Sequence, residues 1–333
     1  MKIGITYDLK EELAAEANLP EEAFEEYDSL ETIDALSGAI ASQGHEVVRL
    51  GGGRGFLENI LGSRVDLVFN ISEGLGNYRS REAQVPSVLE MLGVPYSGSD
   101  PLTLAISLEK PLTKEIVSNA GVTTPRWRVI RSLSEMDGLD WSGFPFPVFA
   151  KPAHEGSSKG IRRASRVSTP AELWSLVQTQ MASYAQPMMV EEFIPGEEVT
   201  VGMAGNSPPQ ILGIMRVVPR TEQDYFVYSI EVKRHWREMV HYECPAFLPP
   251  ATVSRIREAC LRVYQALGVR DLARLDFRIA PDGTPYFLEI NPLPGLNPQS
   301  GDIVLMSGMM GISYNQLVVN ILNAALKRYG YVA

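Results

Sequence analysis

The first hundred residues alternate between two hydrophobic patterns, one typical of strands and one typical of helices. Short apolar runs predict three strands, and apolar residues at helical spacing predict a helix between the first two; in chain order these elements are Ile3–Tyr7, Leu30–Gln43, Glu46–Leu50 and Asp66–Asn70. This order predicts a parallel α/β unit. An acidic insert from Lys10 to Tyr27 interrupts the first crossover, and we expect a solvated helix there rather than a substrate lid.

A turn-rich stretch at Tyr96–Pro101 predicts a domain boundary, and a smaller α/β segment follows it. The patterns in this segment predict strands at Trp127–Ile130 and Val148–Lys151 and a helix near Ala171–Ser183. We therefore expect a second α/β unit between the N-terminal unit and the last part of the chain.

The last part of the chain begins with two apolar strands joined by a Pro-Gly turn, within Met188–Val201. They are interpreted either as a purine-binding strand end or as an ordinary hairpin with a solvated tip. A strand at Ile211–Val218 and helices at Ala251–Leu267 and Tyr314–Arg328 follow. Residues 219–245 are polar and aromatic without a clean period, which predicts a mobile loop over a site.

Near the C-terminus, Arg274–Ile279 and Tyr286–Asn291 alternate apolar and polar residues on either side of the turn Pro281–Thr284. This pattern predicts a β-hairpin. With Asp282-Gly283 at its tip, the apolar face of the hairpin would consist of Leu275, Phe277, Ile279, Tyr286, Leu288 and Ile290.

The opposite face of this hairpin is polar, with Asp276 facing Glu289 and Arg274 facing Asn291. Two carboxylates that face each other across a ladder repel unless a cation lies between them. Carboxylate and amide oxygens suit Mg²⁺, which is usually shared with substrate phosphates. The pattern therefore suggests a metal–nucleotide site, and an exposed edge hairpin whose acids pair with Arg274 or Arg278 is an equal alternative.

Composition and charge narrow the class of protein. A chain of 333 residues with 45% hydrophobic content can bury two or three cores, and its apolar runs are far shorter than a membrane span. We expect a soluble cytoplasmic protein, and two cysteines, Cys244 and Cys260, that are reduced packing residues. The net charge of −10 argues against nucleic-acid binding and favours small-molecule chemistry.

Two loops carry further candidate chemistry. Lys151 ends a predicted strand and precedes a Gly/Ser loop that reaches Gly160, an arrangement that can place an ammonium and backbone N–H groups around phosphate. The loop matches neither a Walker motif nor a dinucleotide fingerprint. Glu73 follows the third strand, where ligands of parallel sheets bind, and is a candidate substrate contact; a solvated loop acid is an equal alternative.

Taken in chain order, these motifs resemble the ATP-grasp superfamily, and specifically the D-alanine–D-alanine ligase family. The pieces that carry the resemblance are Lys151–Ser158, Arg274–Asp276, Leu288–Asn291 and Pro294-Gly295, preceded by Lys110 and accompanied by the Glu191–Glu198 element. The resemblance implies an α/β ATP-grasp fold with an N-terminal Rossmann-like domain. We expect a substrate domain at 1–100, a small ATP-grasp subdomain at 101–187, and at 188–333 a large subdomain with the metal and acceptor site.

The resemblance also implies roles for individual residues. Lys110 and Lys151 would hold ATP phosphates, Glu191 would read the adenine and Glu198 the ribose. Mg²⁺ or Mn²⁺ would bind Asp276, Glu289 and Asn291. The remaining residues expected at the nucleotide are Glu155, Ser157, Ser158, Glu192, Phe193, Ile194 and Leu288.

The family transfers the γ-phosphoryl group of ATP to a substrate carboxylate, and the amine of a second amino acid attacks the acyl phosphate. By resemblance, Arg274 and the Gly295 N–H would stabilise the oxyanion, Lys233 would neutralise the γ-phosphate, and Ser157 would serve the closing loop. Ser300 would bind the acceptor carboxylate. The expected partners are small amino-acid substrates, without nucleic acid or membrane, and the family suggests a homodimer.

Two departures from the family pattern leave the substrate open. Arg234 stands where the family has a tyrosine, Glu73 stands where it has a histidine, and the family's N-terminal glutamate is Glu25, Glu26 or Glu31. Arg234 and Glu73 are therefore expected at the substrate. Three hypotheses follow: a D-alanine–D-alanine ligase of peptidoglycan biosynthesis, a ligase for another amino acid or peptide, and a catalytically inactive nucleotide-binding regulatory protein.

Overall fold

The computed structural model describes residues 1–13 and 21–332, and within them the framework of the protein is three β-sheets. The strands are β1 (Lys2–Thr6), β2 (Glu46–Gly51), β3 (Leu67–Asn70), β4 (Trp127–Ile130), β5 (Val148–Pro152), β6 (Arg166–Val167), β7 (Met188–Glu192), β8 (Glu197–Ala204), β9 (Gln210–Pro219), β10 (Val240–Glu243), β11 (Leu272–Ile279) and β12 (Pro285–Asn291). The α-helices are α1 (Lys10–Leu13), α2 (Leu30–Ala41), α3 (Gly53–Gly62), α4 (Gln84–Leu92), α5 (Pro101–Leu108), α6 (Lys110–Asn119), α7 (Leu133–Asp137), α8 (Pro170–Tyr184), α9 (Ile230–Arg234), α10 (Trp236–Met239), α11 (Pro250–Leu267), α12 (Asp302–Met309) and α13 (Tyr314–Arg328).

The first sheet has the strand order β2-β1-β3 and is parallel, which confirms the predicted α/β unit. A core on one of its faces joins Ile3 and Ile5 of β1 to Ile33 of α2 and to Leu322 of α13. A second core contains residues of α3 and α4. Helix α13 therefore completes the core of the unit built on the first sheet, here called the first domain.

The second sheet has the order β4-β7-β5-β6 and the third has the order β10-β9-β8-β11-β12, and all neighbours in both are antiparallel. The two strands predicted within Met188–Val201 are β7 and β8, but they belong to different sheets, so the hairpin interpretation is wrong. The chain passes from one sheet to the other at residues 193–196, which is later than the expected boundary after residue 187.

Helices α5 and α6 lie in the range expected for the small subdomain, but they pack with the third sheet instead. Val117 and Val122 share a core with Ile256 of α11 and with Leu275 and Phe287 of the C-terminal hairpin. The apolar side chains that precede β4 in sequence are therefore buried in the core of the third sheet. The compact unit around the second sheet is therefore smaller than the range 101–187.

The C-terminal hairpin forms as β11 and β12, with Arg274 opposite Asn291 and Asp276 opposite Glu289, as predicted. A bulge after Asp276 then shifts the register by one residue, so that Phe277 faces Phe287 and not Leu288. The prediction that Tyr286 and Leu288 lie on the apolar face is wrong for this reason. Phe287 is fully buried in their place, with its ring centroid 5.9 Å from that of Phe277.

Two other expectations about irregular segments also need correction. Residues 219–245 contain α9, α10 and the edge strand β10, so the prediction of a loop without regular structure is wrong. The acidic insert falls partly on residues 14–20, which lie outside the described residues. In its described part, Glu22 and Glu26 are buried (2% and 9% exposed), which contradicts a solvated helix.

Candidate active site

A cleft lies between the second and third sheets and brings together most of the residues expected at the nucleotide. Its lining includes residues of β5, β7, β8, β11 and β12. The predicted nucleotide residues that line it are Lys151, Ser158, Glu191, Glu192, Phe193, Ile194, Glu198 and Leu288. Leu288 reaches the cleft because the bulge turns it away from the core.

Lys110 and Glu155 lie beside the cleft. The Lys110 ammonium donates a hydrogen bond to the backbone carbonyl of Glu155, and Lys110 Nζ lies 3.5 Å from Glu289 Oε2. These contacts bring the start of α6, the loop after β5 and the hairpin together. The residues expected to face phosphate and metal are thus neighbours.

The Glu191 carboxylate lies between two buried lysines, 2.9 Å from Lys151 Nζ and 2.8 Å from Lys114 Nζ. Burial opposes ionisation of Glu191, but the two ammonium groups hold its pKa below the usual value. Burial lowers the pKa of Lys114 to about 8. Glu191 thus positions Lys151, and its carboxylate is occupied by ion pairs with the two lysines.

Sequence reasoning missed Lys114, although a signal was available. Lys114 lies four residues after Lys110 on α6, a spacing that places both side chains on one helix face. Its ammonium also donates to Thr124 Oγ1 at 2.6 Å. A second basic residue one turn after a candidate phosphate lysine is a pattern that predicts a shared site.

Glu198 and the buried Arg278 form an ion pair at one side of the cleft, with 2.7 Å between Arg278 Nη1 and Glu198 Oε1. The Tyr228 N–H also donates to Glu198 Oε1, at 3.1 Å. The Arg278 guanidinium lies over the Phe193 ring, 4.5 Å from its centroid. Arg278 shares the strand face of Arg274 and Asp276, so strand alternation alone could have placed it in the cleft.

The polar face of the hairpin holds Asp276 and Glu289 toward the cleft. Asp276 accepts hydrogen bonds from Thr200 Oγ1 at 2.5 Å and from Arg274 Nη2 at 2.9 Å. Glu289 Oε2 is buried and accepts no hydrogen bond from the described residues. Burial opposes ionisation of Glu289, but Lys110 and the other nearby cations lower its pKa to about 2.

A second cavity adjoins the cleft, and the two share Tyr228, Lys233, Arg274 and Asp302. Residues of the first domain and of α9 line it, together with the segment that follows β12. The predicted residues that it brings together are Glu73, Ser157, Arg234, Asn291, Gly295 and Ser300. Lys233 and Arg274, the two cationic residues common to both cavities, therefore lie where a ligand in the cleft would meet a ligand in the second cavity.

Lys233 lies at this junction, with its ammonium 5.3 Å from the centroid of the Tyr228 ring. Burial lowers the pKa of Lys233, and the charge of Arg274 lowers it further. The Tyr228 hydroxyl lies 2.6 Å from that of Tyr242 and donates to Asp302 at 3.1 Å. Asp302 Oδ2 also lies 3.4 Å from Arg274 Nη1. No sequence pattern indicated that Asp302 belongs to the site, because the tertiary fold brings it there.

Two carboxyl groups of the second cavity lack an ionic partner. Within residues 1–13 and 21–332, neither Asp28 nor Glu73 forms an ion pair. Burial raises the pKa of Asp28 to about 7, and the charge of Asp8 adds to the shift. Burial also raises the pKa of Glu73 well above its usual value, with a further contribution from Glu82. This wall of the cavity is suited to receive positive charge.

The three glutamates left open by the sequence have different contacts. Glu25 Oε1 lies 2.7 Å from Arg234 Nη2, so the arginine that we expected in place of the family tyrosine pairs with the first domain. Glu31 accepts a hydrogen bond from Gln299 at 2.6 Å. Glu26 forms buried ion pairs with Arg81 and Lys159. Glu25 and Glu26 both line the second cavity.

Comparisons with known proteins identify the relatives of this chain. A family model described as "D-ala D-ala ligase C-terminus" matches residues 116–323. The D-alanine–D-alanine ligase of Aquifex aeolicus is 31% identical over 273 residues, which cover 82% of this chain and 87% of that protein. The uncharacterized protein y4sG of Sinorhizobium fredii is 33% identical over 305 residues, covering 89% and 88% of the two chains.

Solved structures show the same fold. The D-alanine–D-alanine ligase of Bacillus anthracis complexed with ATP superposes with a TM-score of 0.73 at 24% identity, covering 98% of both chains. The VanG D-Ala:D-Ser ligase of Enterococcus faecalis gives a TM-score of 0.74 at 20% identity, over 97% of this chain and 99% of that one. The protein has the α/β ATP-grasp fold, and its chain belongs to the D-alanine–D-alanine ligase family of ATP-dependent enzymes.

Proposed function

We propose that the protein is an ATP-dependent carboxylate–amine ligase that joins two amino acids through an acyl phosphate, with D-alanine as both substrates. The observation that carries this proposal is the junction of the two cavities at Lys233 and Arg274. ATP in the cleft would direct its γ-phosphate toward that junction. A carboxylate in the second cavity would meet it there, and the product would be the dipeptide used in peptidoglycan biosynthesis.

The nucleotide would lie in the cleft with its phosphates near Lys110 and Lys151. The fit of a divalent cation rests on the hairpin, because Glu289 Oε2 is an open, buried and ionised acceptor opposite Asp276. Among the described residues no group of three or more His, Cys, Asp or Glu side chains is arranged for a metal. Two carboxylates with the Asn291 amide match a cation that keeps waters and shares phosphates, as Mg²⁺ or Mn²⁺ does. The cation would supply neutralisation of phosphate charge.

The protein's own residues then account for the two chemical steps. The substrate carboxylate attacks the γ-phosphorus, ADP leaves, and Lys233 and Lys151 stabilise the charge on the transferred group. The amine of the second amino acid attacks the acyl phosphate, and phosphate leaves as the peptide bond forms. Arg274 and the Gly295 N–H would stabilise the oxyanion, and Ser300 would orient the acceptor carboxylate. Positioning and charge suffice, so no side-chain nucleophile is required.

A second candidate substrate is an amino acid with a cationic side chain. The observation that favours it is the pair Asp28 and Glu73, which lack an ionic partner among the described residues and face the second cavity. One ammonium would compensate one carboxylate, and a diamino acid would compensate both. The activity would be the same and only the substrate would differ.

The test is a phosphate-release assay with ATP, Mg²⁺ and a panel of D- and L-amino acids. The panel includes alanine, serine, lysine and ornithine, with norleucine as the neutral control for lysine. Release that depends on D-alanine, with formation of D-alanyl-D-alanine, is expected. Preference for lysine over norleucine would instead indicate that the substrate is an amino acid with a cationic side chain. Absence of amino-acid-dependent release across the panel, with ATP still bound, would refute the ligase proposal.

Two broader expectations accompany this proposal. Because the enzyme would use ATP and a precursor of cell-wall synthesis, we propose a cytoplasmic location. None of the helices in the described part of the chain has the length and apolar character to span a membrane. The homodimer expected from the family stays a prediction.

A further inference from the structure

Four charged side chains from three separate parts of the chain form a buried charge cluster, which consists of Glu26, Arg81, Glu155 and Lys159. Lys159 Nζ lies 2.7 Å from Glu26 Oε1 and 2.6 Å from Glu155 Oε2. Arg81 Nη2 lies 2.8 Å from Glu26 Oε2 and 3.7 Å from Glu155 Oε2. The four residues are 1–9% exposed. Each carboxylate therefore meets both cations, and the charges balance.

The cluster joins the first domain to the loop that follows β5, here called the phosphate loop and defined as residues 153–160. Glu26 and Arg81 come from the first domain, and Glu155 and Lys159 come from the phosphate loop. Ser157 and Ser158 lie between these two, and both have left-handed backbone conformations, with φ of 49° and 59°. Such conformations are unfavourable for residues other than glycine and persist only where surrounding contacts hold them.

The cluster also connects the two cavities. Glu26 and Ser157 line the second cavity, and Ser158 lines the cleft. The backbone carbonyl of Glu155 accepts a hydrogen bond from Lys110, beside the hairpin carboxylate Glu289. A shift of the phosphate loop would therefore move groups that face both ligands.

The approach of the loop to the cluster is close. A Cβ atom at Gly156 would lie 3.2 Å from Glu26 Oε2 and 3.9 Å from Arg81 Nη2. The Arg81 guanidinium also donates to the backbone carbonyl of His154 at 3.3 Å. The first domain thus holds the backbone of the loop as well as its side chains.

We propose that Glu26 and Arg81 are positioning residues that hold the phosphate loop in its closed conformation and so make closure over ATP depend on the first domain. The kinetic part of this inference rests on the proposed ligase function. The physical reason is that loss of one charge leaves its partners buried and uncompensated, and opening of the loop returns them to water. An open loop admits water to the acyl phosphate and misplaces the reacting groups.

The test compares Glu26→Gln with the wild-type full chain. Glutamine keeps the shape of the side chain and removes its charge. We expect kcat for dipeptide formation to fall about tenfold to a hundredfold. We also expect more phosphate released per dipeptide formed, because water would compete with the amine. A contribution to folding alone would lower the melting temperature without changing that ratio.

A readout independent of turnover is hydrogen exchange of residues 155–160 with and without a non-hydrolysable ATP analogue and Mg²⁺. The analogue is expected to protect the loop in the wild type and to protect it much less in Glu26→Gln. Lys159→Met removes the partner on the loop side and should behave in the same way, so the inference stays testable if Glu26→Gln does not fold. Arg262→Met, which removes an exposed pair with Glu258 on α11, is the matched control and should match the wild type.

The outcomes separate the two proposals. If no amino acid supports turnover but the analogue protects the loop only when Glu26 is intact, the ligase proposal fails and the positioning role stands. If dipeptide forms with the same phosphate ratio and the same protection in the wild type, Glu26→Gln and Lys159→Met, the positioning role is refuted and the ligase proposal stands.

Discussion

The β11–β12 hairpin and the segment at residues 21–27 both bring carboxylates to the active-site region, but they hold them by different means. In the hairpin, Asp276 and Glu289 face each other across one ladder, and a short turn brings them together. In the other segment, Glu26 meets Arg81 55 residues away and Lys159 133 residues away. The comparison shows that carboxylates can be positioned by a local ladder, as Asp276 and Glu289 are, or by long-range ion pairs, as the more deeply buried Glu26 is.

This difference has a consequence for robustness. A ladder fixes its side chains through many backbone hydrogen bonds, so the loss of one charge leaves the geometry in place. A cluster of long-range ion pairs has no such frame, and the loss of one charge disturbs the partners. Hairpin substitutions should therefore change chemistry with little effect on folding, whereas substitutions near residues 21–32 should change stability or closure.

The largest effect is expected for Asp276→Asn. The amide can still accept from Thr200, but it loses the charge that faces Glu289 and the proposed cation. We expect kcat to fall roughly 10²–10³-fold, with a nearly unchanged melting temperature. Asp282→Asn, the same change at the exposed tip of the same hairpin, is the control. Retention of activity in Asp276→Asn would remove the metal assignment.

The next effect concerns Asp28, whose pKa of about 7 lies above its ordinary value of 3.8 because of burial and Asp8. The unfolded chain loses this proton near pH 4 and the folded chain near pH 7, so stability falls as pH rises through that window. Between pH 5 and pH 7 the loss is at most about 3 kcal/mol, at about 1.4 kcal/mol per pH unit.

Asp28→Asn should remove this pH-dependent loss and be more stable than the wild type at pH 8. Denaturant unfolding at pH 5 and pH 8 measures it, and the exposed Asp34→Asn serves as the control. Equal pH dependence in wild type and Asp28→Asn would contradict the assignment. The result would sharpen the comparison, because nearby cations lower the pKa of Glu289 in the hairpin, whereas burial and the charge of Asp8 raise the pKa of Asp28.

A smaller effect is expected for Lys114→Met. Without Lys114, Lys151 alone compensates the Glu191 carboxylate. More of the Lys151 charge is then offset by Glu191, and less of it is left to attract the phosphates. We expect KM for ATP to rise roughly tenfold, which corresponds to about 1.4 kcal/mol, with kcat less affected. Steady-state kinetics with varied ATP measures it, and Lys327→Met on α13 is the control. A fall in kcat at unchanged KM would assign Lys114 to the chemical step instead.

The smallest effect is expected for Glu25→Gln, the neighbour of Glu26. Its partner Arg234 and Glu25 itself are 29% and 27% exposed, and such pairs contribute at most about 1 kcal/mol. We expect a loss of stability below about 1 kcal/mol by denaturant unfolding. A larger loss than that of Glu26→Gln would reverse the proposed order of the two ion pairs. The contributions of Glu25 and Glu26 to stability would then not follow their burial.

Prediction from sequence succeeded where the determining contacts are local. The strands β1, β2 and β3 follow from short apolar runs, and the hairpin follows from alternating apolar and polar residues on either side of a four-residue turn. These signals act over short distances along the chain. The bulge after Asp276 was not predictable from alternation, since it depends on Phe277 and Phe287 packing in a shared core. Lys114 and Arg278 were within reach of helical and strand spacing and were missed.

Long-range contacts explain what could not be predicted. The strands of Met188–Val201 appear adjacent in sequence, but β7 finds partners in β4 and β5, and β8 finds partners in β9 and β11. Which sheet an apolar strand joins depends on the edges that the folded chain offers. No pattern within fourteen residues contains that information.

The sequence alone determined the order of the candidate phosphate, nucleotide and metal motifs and the opposition of Asp276 and Glu289, because these depend on residue type, spacing and one turn. Only the tertiary structure decided that Glu26 and Lys159 share a buried cluster, that Asp28 and Glu73 face the second cavity, and that Lys233 and Arg274 stand where both cavities meet. The physical reason is that charge, burial and partner are properties of the assembled surfaces, and distant segments acquire them only when they pack together.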